Sequence, residues 1–474
     1  MNRIGVDPRA GLRVVIGFVL ILAGSPRVSL GDGWKLGVGR VAITPKEPIW
    51  LSGYAARNHP SDGVDQDIWV KALALEDPLG KRAVLVTMDV CGISRDLSAR
   101  IREAIGRKHG LERDRIVLAC SHTHSAPVLG RNLLTMYTLD DAQKQKVGDY
   151  TRLFESVVAD VVSQAFETLS VARLDWGNGR CDFAVNRRNN PEGEVPALRE
   201  KGHLKGPDDH DVPVLVGRDV DGRPRAVVFV YACHCTVLDG YKVSGDWAGH
   251  AAAALEKRFP GAQAMYVAGC GGDQNPIPRR SEALAETHGQ AMAASVAAVL
   301  ERPMKRIEGP LRSAYREVNL AFGSLPTRSQ IESDAKSDNR FAASRARKLL
   351  GQIEELGQLP PDYPYPVQAW GLDELRWVFL GGEVTVDYAL RIKKEAGSSP
   401  TWVSAYCNDV MAYIPSQRVL KEGGYEGGDS MVYYGLPCPW SDRVEESVMS
   451  GVNGVLGLIA PASIKGGPST DVVP

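Results

Sequence analysis

"RIVLACSHTHSAP", residues 115–127, carries an apolar stretch into two histidines one residue apart and stops at a proline. The run "IVLAC" lacks polar alternation, which marks a buried strand rather than a half-exposed one. His122 therefore falls where a strand passes into a loop, the place where α/β architectures put their chemistry. In extended backbone, residues i and i+2 share a face, so the spacing expects His122 and His124 to converge. A His-x-His pair alone is ordinarily two solvated or hydrogen-bonded side chains, and a metal site needs partners from elsewhere in the chain.

Reading outward, "WKLGVGRVAITP" (34–45) is a strand, and residues 68–90 form two strands joined at "DPLGK". Helical spacing appears over 96–110 and 140–169. Residues 212–236 read as a hairpin turning at "DGRP" and ending at His234, so a histidine again terminates an apolar strand. A helix over 245–261 with Asp246 at its cap, a strand entering the glycine-rich turn "GCGGDQNP", and an alanine-rich helix over 281–303 follow. A polar helix near 327–356 precedes "QLPPDYPYPVQ" (358–368), the best linker candidate, and a strand then switches at "GGE" into a helix over 375–395. This alternation predicts an α/β fold with central mixed sheets flanked by helices, in one large domain over 32–474.

The N-terminus is different. Arg3, Arg9 and Arg13 precede the apolar run "VVIGFVLILAG" (14–24), and Ser29 and Gly31 supply small residues for cleavage after Gly31. That is the layout of a signal peptide over 1–31 and implies a secreted or periplasmic protein, with an uncleaved anchor as the alternative. No later segment is apolar enough to cross a bilayer. With 56 Lys+Arg against 57 Asp+Glu, bulk charge recruits no nucleic acid. The eight cysteines leave their pairing unreadable; Cys233 and Cys235, flanking His234, lack the usual zinc spacing.

Four strand ends present polar groups after apolar runs: "SHTHSAP", "ACHCT", "AGCGGDQNP" and "FLGGEV". Together with "GVGRVAITP", "VNRR", "SGDWAGH" and "AYI…GYEG", this ordered series, from Gly37 to Tyr434, resembles the catalytic domain of neutral/alkaline non-lysosomal ceramidases. The resemblance implies one zinc ion per chain, held by His122, His234, Glu383 and Tyr413, with His124 facing the substrate as a hydrogen-bonding or proton-transfer group. It also implies substrate-side roles for Arg187 and for Tyr425, twelve residues beyond Tyr413. A surface salt bridge and a packed core ring are the ordinary alternatives for these two. Two imidazoles and a carboxylate are a known catalytic zinc set, and zinc brings the pKa of water near 7.

Two departures from the family pattern stand out. Where the family turn carries a serine, "GGDQNP" places Asn275, which cannot act as an oxygen nucleophile but can donate to an oxyanion. Only some forty residues follow "YYGLPCPW", so no C-terminal immunoglobulin-like domain is expected. The implied function is zinc-dependent hydrolysis of an amide or ester in a small, lipid-like or amide substrate, with ceramide-like N-acyl lipids as the default and peripheral membrane contact as a corollary. A different small substrate, or a non-catalytic binding protein on the same scaffold, are the alternatives that Asn275 leaves open. Oligomeric state is not legible.

Overall fold

In the computed structural model, which describes Met1 and residues 33–460, the main sheet contains β1 (Trp34–Ala42), β2 (Trp69–Glu76), β3 (Arg82–Met88), β4 (Ile116–Cys120), β5 (Ser170–Arg180), β6 (Asp211–Arg218), β7 (Pro224–Tyr231) and β8 (Gln263–Ala268). Apart from Met1, the leader read over 1–31 lies outside the described residues. Strand order is β8-β7-β6-β5-β1-β2-β3-β4, with Lys305–Ile307 added beside β5. The pairings β3/β4 and β7/β8 are parallel, crossed over by helices α1 (Arg95–His109) and α3 (Asp246–Arg258), and the other pairings along the path are antiparallel. The sheet is mixed, as expected.

Strands β2, β3 and β4 are buried along nearly their whole length, which is why their sequences are almost continuously apolar, with Lys71 the main exception. Val70, Ala72, Val84 and Val86 pack with Leu97, Ile101 and Ile105 of α1 and with Val158 and Val161 of α2 (Asp141–Glu167). Leu73, Leu75 and Leu85 belong instead to a core with Trp370, Trp377, Phe379 and Trp402 of a second sheet. That sheet contains β9 (Leu311–Ala321), β10 (Asp362–Leu372), β11 (Leu375–Leu380) and β12 (Thr401–Ser404), in that order. Its far face is covered by α5 (Val386–Ala396) and α6 (Val444–Ile459), while α4 (Glu282–Leu300) joins the helical layer of the first. The result is helices, two sheets and helices in layers. Full burial of each large inter-sheet side chain contributes about 1.5–3 kcal/mol.

Twist brings the ends of the long sheet together. By pairing parity β4 and β8 oppose each other, but a twist of roughly 20–25° per strand step reorients them over the width of the sheet. Their carboxyl ends are joined by one segment: Ala405 N–H donates to Ala268 O at 2.9 Å, Cys120 N–H to Tyr406 O at 3.1 Å, and Asn408 N–H to Leu118 O at 2.7 Å.

Three expectations change. The linker at 358–368 is the start of β10, whose Pro364 and Pro366 oppose Asn319 and Glu317 of β9. Pairing with β11 begins only at Val367, so the two prolines occupy a stretch paired on one side, where a missing N–H costs no ladder bond. The polar helix near 327–356 is two helices, Arg328–Asp334 capped by Thr327 and Arg340–Leu356 capped by Asn339. Asp246 opens α3 in a left-handed conformation (φ 56°) one residue after the cap position, and its carboxylate accepts the amides of Val237, Leu238 and Trp247. Among the described residues the chain after Tyr413–Ile414 forms no immunoglobulin-like sandwich, and no helix is long and apolar enough to cross a membrane. The eight cysteines are free thiols, seven of them buried.

The motif "GVGR" has a packing cause. A Cβ on Gly37 would sit 1.9 Å from the Ala165 carbonyl oxygen and one on Gly39 would sit 2.4 Å from that of Val161, so α2 lies with its backbone against β1. Gly37→Ala is expected to lower the unfolding free energy by about 1–3 kcal/mol, the usual cost of overpacking. An unchanged urea midpoint would contradict this packing.

Candidate metal centre

Each potential donor residue is fastened by its own amide to a different part of the chain. His122 N–H donates to Val90 O at 3.0 Å, His234 N–H to Gln274 O at 3.0 Å, and Glu383 N–H to Ala412 O at 2.8 Å. Glu383 and Tyr413 stand opposite each other in a short parallel ladder, Glu383–Val384 with Tyr413–Ile414. Asp273 ties the surrounding turns: its carboxylate accepts Val386 N–H at 2.9 Å and Asn186 Nδ2 at 2.9 Å, and its carbonyl accepts Arg187 N–H at 2.9 Å. The histidine pair is not an extended strand, because β4 ends at Cys120 and His122 is left-handed (φ 59°). The period-two argument for convergence therefore fails, although the rings do meet, with Nε2 atoms 3.0 Å apart.

Ring orientation follows from backbone carbonyls. His122 Nδ1 lies 2.6 Å from Cys91 O and His234 Nδ1 lies 2.6 Å from Gly271 O; a carbonyl only accepts, so both Nδ1 atoms carry the proton. Both Nε2 atoms then face Glu383 Oε2, at 3.0 and 3.1 Å, with the Tyr413 hydroxyl 3.3 Å from His234 Nε2. The three donor atoms of His122, His234 and Glu383 lie within 4.8 Å of one another, and all three residues are buried. Such a dry cluster needs a positive charge among its members, a proton on His122 Nε2 or a metal cation, and a cation fits this mixed N/O set. The remaining Glu383 oxygen is taken by the Tyr434 hydroxyl. Cys91, His122 and His124 form a second converging group; Cys233 and Cys235 belong to neither.

The electrostatics show the same demand for positive charge. Burial pushes the imidazole of His234 down to about 4, with Arg187 adding to the effect, and pushes His124 well below the ordinary range. His122 moves the other way: burial lowers it, but the Glu383 carboxylate outweighs this and holds it well above. Glu383 stays well below the usual carboxylate range despite its burial, chiefly through His122.

A cleft of about 570 Å³ opens beside these residues, lined by His124, Arg187, Asn275, Tyr413 and Tyr425 among others. Arg187 is not a surface salt bridge: its side chain is 21% exposed and reaches Glu426 Oε1 at 2.6 Å, Asn275 Oδ1 at 3.2 Å and the Tyr413 hydroxyl at 3.1 Å. Tyr425 is not a core ring: it is 42% exposed, its ring 5.4 Å from that of Tyr413. Several participants were not singled out from sequence. Glu426 sits inside the quoted "GYEG" and also holds Arg188 at 2.6 Å. Tyr434 carries no local signal beyond its place in "YYG". Gly53 (φ 97°) packs on His124, where a Cβ would lie 2.4 Å from the ring Cγ, and the Tyr54 ring lies 4.9 Å from the same imidazole.

Fold and site now meet known proteins. The family model described as neutral/alkaline non-lysosomal ceramidase, N-terminal, matches residues 34–297, and the chain belongs to this family. Neutral ceramidase A of Dictyostelium discoideum is 24% identical over 277 residues, covering 53% of this chain and 37% of the relative. Neutral ceramidase 1 of Arabidopsis thaliana is 25% identical over 284 residues, 58% and 35% of the two chains. The matched region is thus little more than a third of these relatives' length. The crystal structure of neutral ceramidase from Pseudomonas aeruginosa superimposes with a TM-score of 0.67 at 18% identity, covering 88% of this chain and 73% of that one. At that identity the superposition speaks for the fold.

A divalent ion bound among these acceptors should stabilise the folded state. Titrating zinc to about 100 times its Kd is expected to add about 2.7 kcal/mol of stability, read as a rise in Tm, and Glu383→Gln to erase most of that rise. An identical rise in the variant would place the ion elsewhere.

Proposed function

We propose that the protein is a zinc-dependent hydrolase of N-acyl amide bonds, holding one zinc ion through His122, His234, Glu383 and Tyr413. The observation that carries this reading is the pair of Nδ1–H groups pinned to the Cys91 and Gly271 carbonyls, which turns both Nε2 atoms onto Glu383 beside an open cleft. Zinc in such a setting supplies Lewis acidity and brings the pKa of water near 7. The amide specificity is carried over from the ceramidases to which the chain is similar. Water oxygen bonds to the acyl carbon, the C–N bond breaks, and both water protons end on the leaving nitrogen, giving a carboxylate and an ammonium ion.

The chain's own groups have distinct work in this scheme. His124, kept neutral by burial, accepts a proton on one side of the reaction and returns it on the other. Arg187, anchored by Glu426, fixes the Tyr413 hydroxyl and the Asn275 amide. Because Asn275 Oδ1 is occupied by Arg187, its Nδ2 is the atom that turns toward a developing oxyanion. Tyr425 clamps the substrate at the cleft mouth. Asn275 in place of the family serine is the one feature that favours a second reading, a binding protein that holds ligand and zinc without turnover. The leader over 1–31 supports a secreted or periplasmic location.

Metal-stripped protein is expected to lose hydrolysis of an N-acyl amide and to regain it with zinc, while His122→Ala and Glu383→Ala stay inactive after zinc is added. Asn275→Ala should lower kcat by about 10²–10³-fold, the range for one oxyanion donor. Full turnover by the stripped protein would end the proposal; zinc and amide binding without turnover would establish the second reading.

A further inference from the structure

The walls of the cleft indicate what kind of amide enters it. Beside the rings of Tyr54, Tyr413 and Tyr425 its only apolar lining side chains are Pro191 and Ile277, whereas five of the lining residues, Arg279 among them, are charged. Burying one methylene is worth about 0.8 kcal/mol, so a long acyl or sphingoid chain finds little surface here to hold it. Among the described residues the exposed large apolar side chains, such as Leu79, Leu134, Leu153 and Val220, stand away from the cleft, and Tyr425 alone of that group lines it.

The polar lining favours one sign of ligand. Both oxygens of Glu426 are occupied, by Arg187 and Arg188 at 2.6 Å each. Both oxygens of Glu192 are occupied as well, Oε1 by Arg280 at 3.2 Å and Oε2 by Arg279 at 2.5 Å. Each carboxylate lining the cleft is therefore already neutralised by two arginines, and neither offers an unpaired negative charge to a cationic substrate. Donors remain: Arg279 spends only Nη2 on Glu192, which leaves Nη1 unpaired beside the cleft, while its Nε and the Thr236 hydroxyl are buried without partners. The Arg279 side chain is 16% exposed, so its charge sits largely out of water, where a planar guanidinium binds a carboxylate strongly.

Building on the amide-hydrolase reading, we propose that the preferred substrate is a small amide bearing a carboxylate or similar oxyanion, read by Arg279, rather than a two-chain lipid. The test uses the zinc-loaded full chain and three substrates: an N-acetyl amino acid, its uncharged carboxamide, and N-dodecanoyl sphingosine in mixed micelles. The acid is expected to exceed the carboxamide at least about tenfold in kcat/KM, the discrimination one charge-assisted contact supplies. Arg279→Met should collapse that ratio toward one, and Arg279→Lys should keep part of it; urea melts of both variants check folding. A ratio unmoved by Arg279→Met, or ceramide used as well as the acid, overturns the inference and leaves the hydrolase reading intact. Calorimetric binding of the acid that is lost in Arg279→Met, with no turnover of any substrate, keeps the inference and removes the hydrolase reading. Neither binding nor turnover of the acid overturns the inference.

Discussion

Two hydrogen bonds to backbone carbonyls set the character of this site. By accepting from the Nδ1–H groups of His122 and His234, Cys91 O and Gly271 O point each ring's Nε2 at Glu383 with no freedom to turn it away. Glu383, already bound on its other oxygen by Tyr434, cannot swing aside either. The surrounding architecture serves this frustration. The Ala405–Asn408 segment fastens the carboxyl ends of β4 and β8, and Asp273 joins three turns, so the acceptors stay close although they come from distant parts of the chain. Holding such groups together with neither a proton nor a metal cation among them would cost several kcal/mol of unrelieved repulsion and desolvation.

Much of this arrangement was readable before any coordinates. Apolar runs ending in polar residues located the strand ends that carry His122, His234 and Glu383, since a strand buried on both faces has to be continuously apolar and its end is where polar groups begin. Tyr413, Arg187, Asn275 and Tyr425 came from the family resemblance. What stayed hidden depends on contacts between segments far apart in sequence. Glu426 matters because Arg187 lies 239 positions away, and Gly53 because His124 leaves no room for a Cβ. The left-handed turn at His122 was equally invisible, because it goes with the hydrogen bond from its N–H to Val90 O rather than with local preference. The prolines of 358–368 pointed away from a strand because propensity does not know which side of a strand will be left unpaired.

The cleft separates two levels of inheritance. The buried donor set and its carbonyl partners belong to the layered body that the chain shares in fold with neutral ceramidase. The lining above it comes largely from connecting segments, Arg187–Pro191 and Ile277–Arg279, with Asn275 on a short strand and Tyr425 and Glu426 beside them. Connecting segments can exchange apolar for charged side chains without touching the core. The buried donor set and the walls of the cleft can thus change independently.

Pro364 and Pro366 have an effect beyond the linker they suggest. They stand where β10 is paired on one side only, and on the other side the Pro366 carbonyl accepts Gly381 N–H at 3.4 Å and the Pro364 carbonyl accepts Arg95 Nη1 at 2.9 Å. With no N–H to give and both carbonyls already bound, these two positions leave a strand from another copy of the chain no backbone group to pair with there.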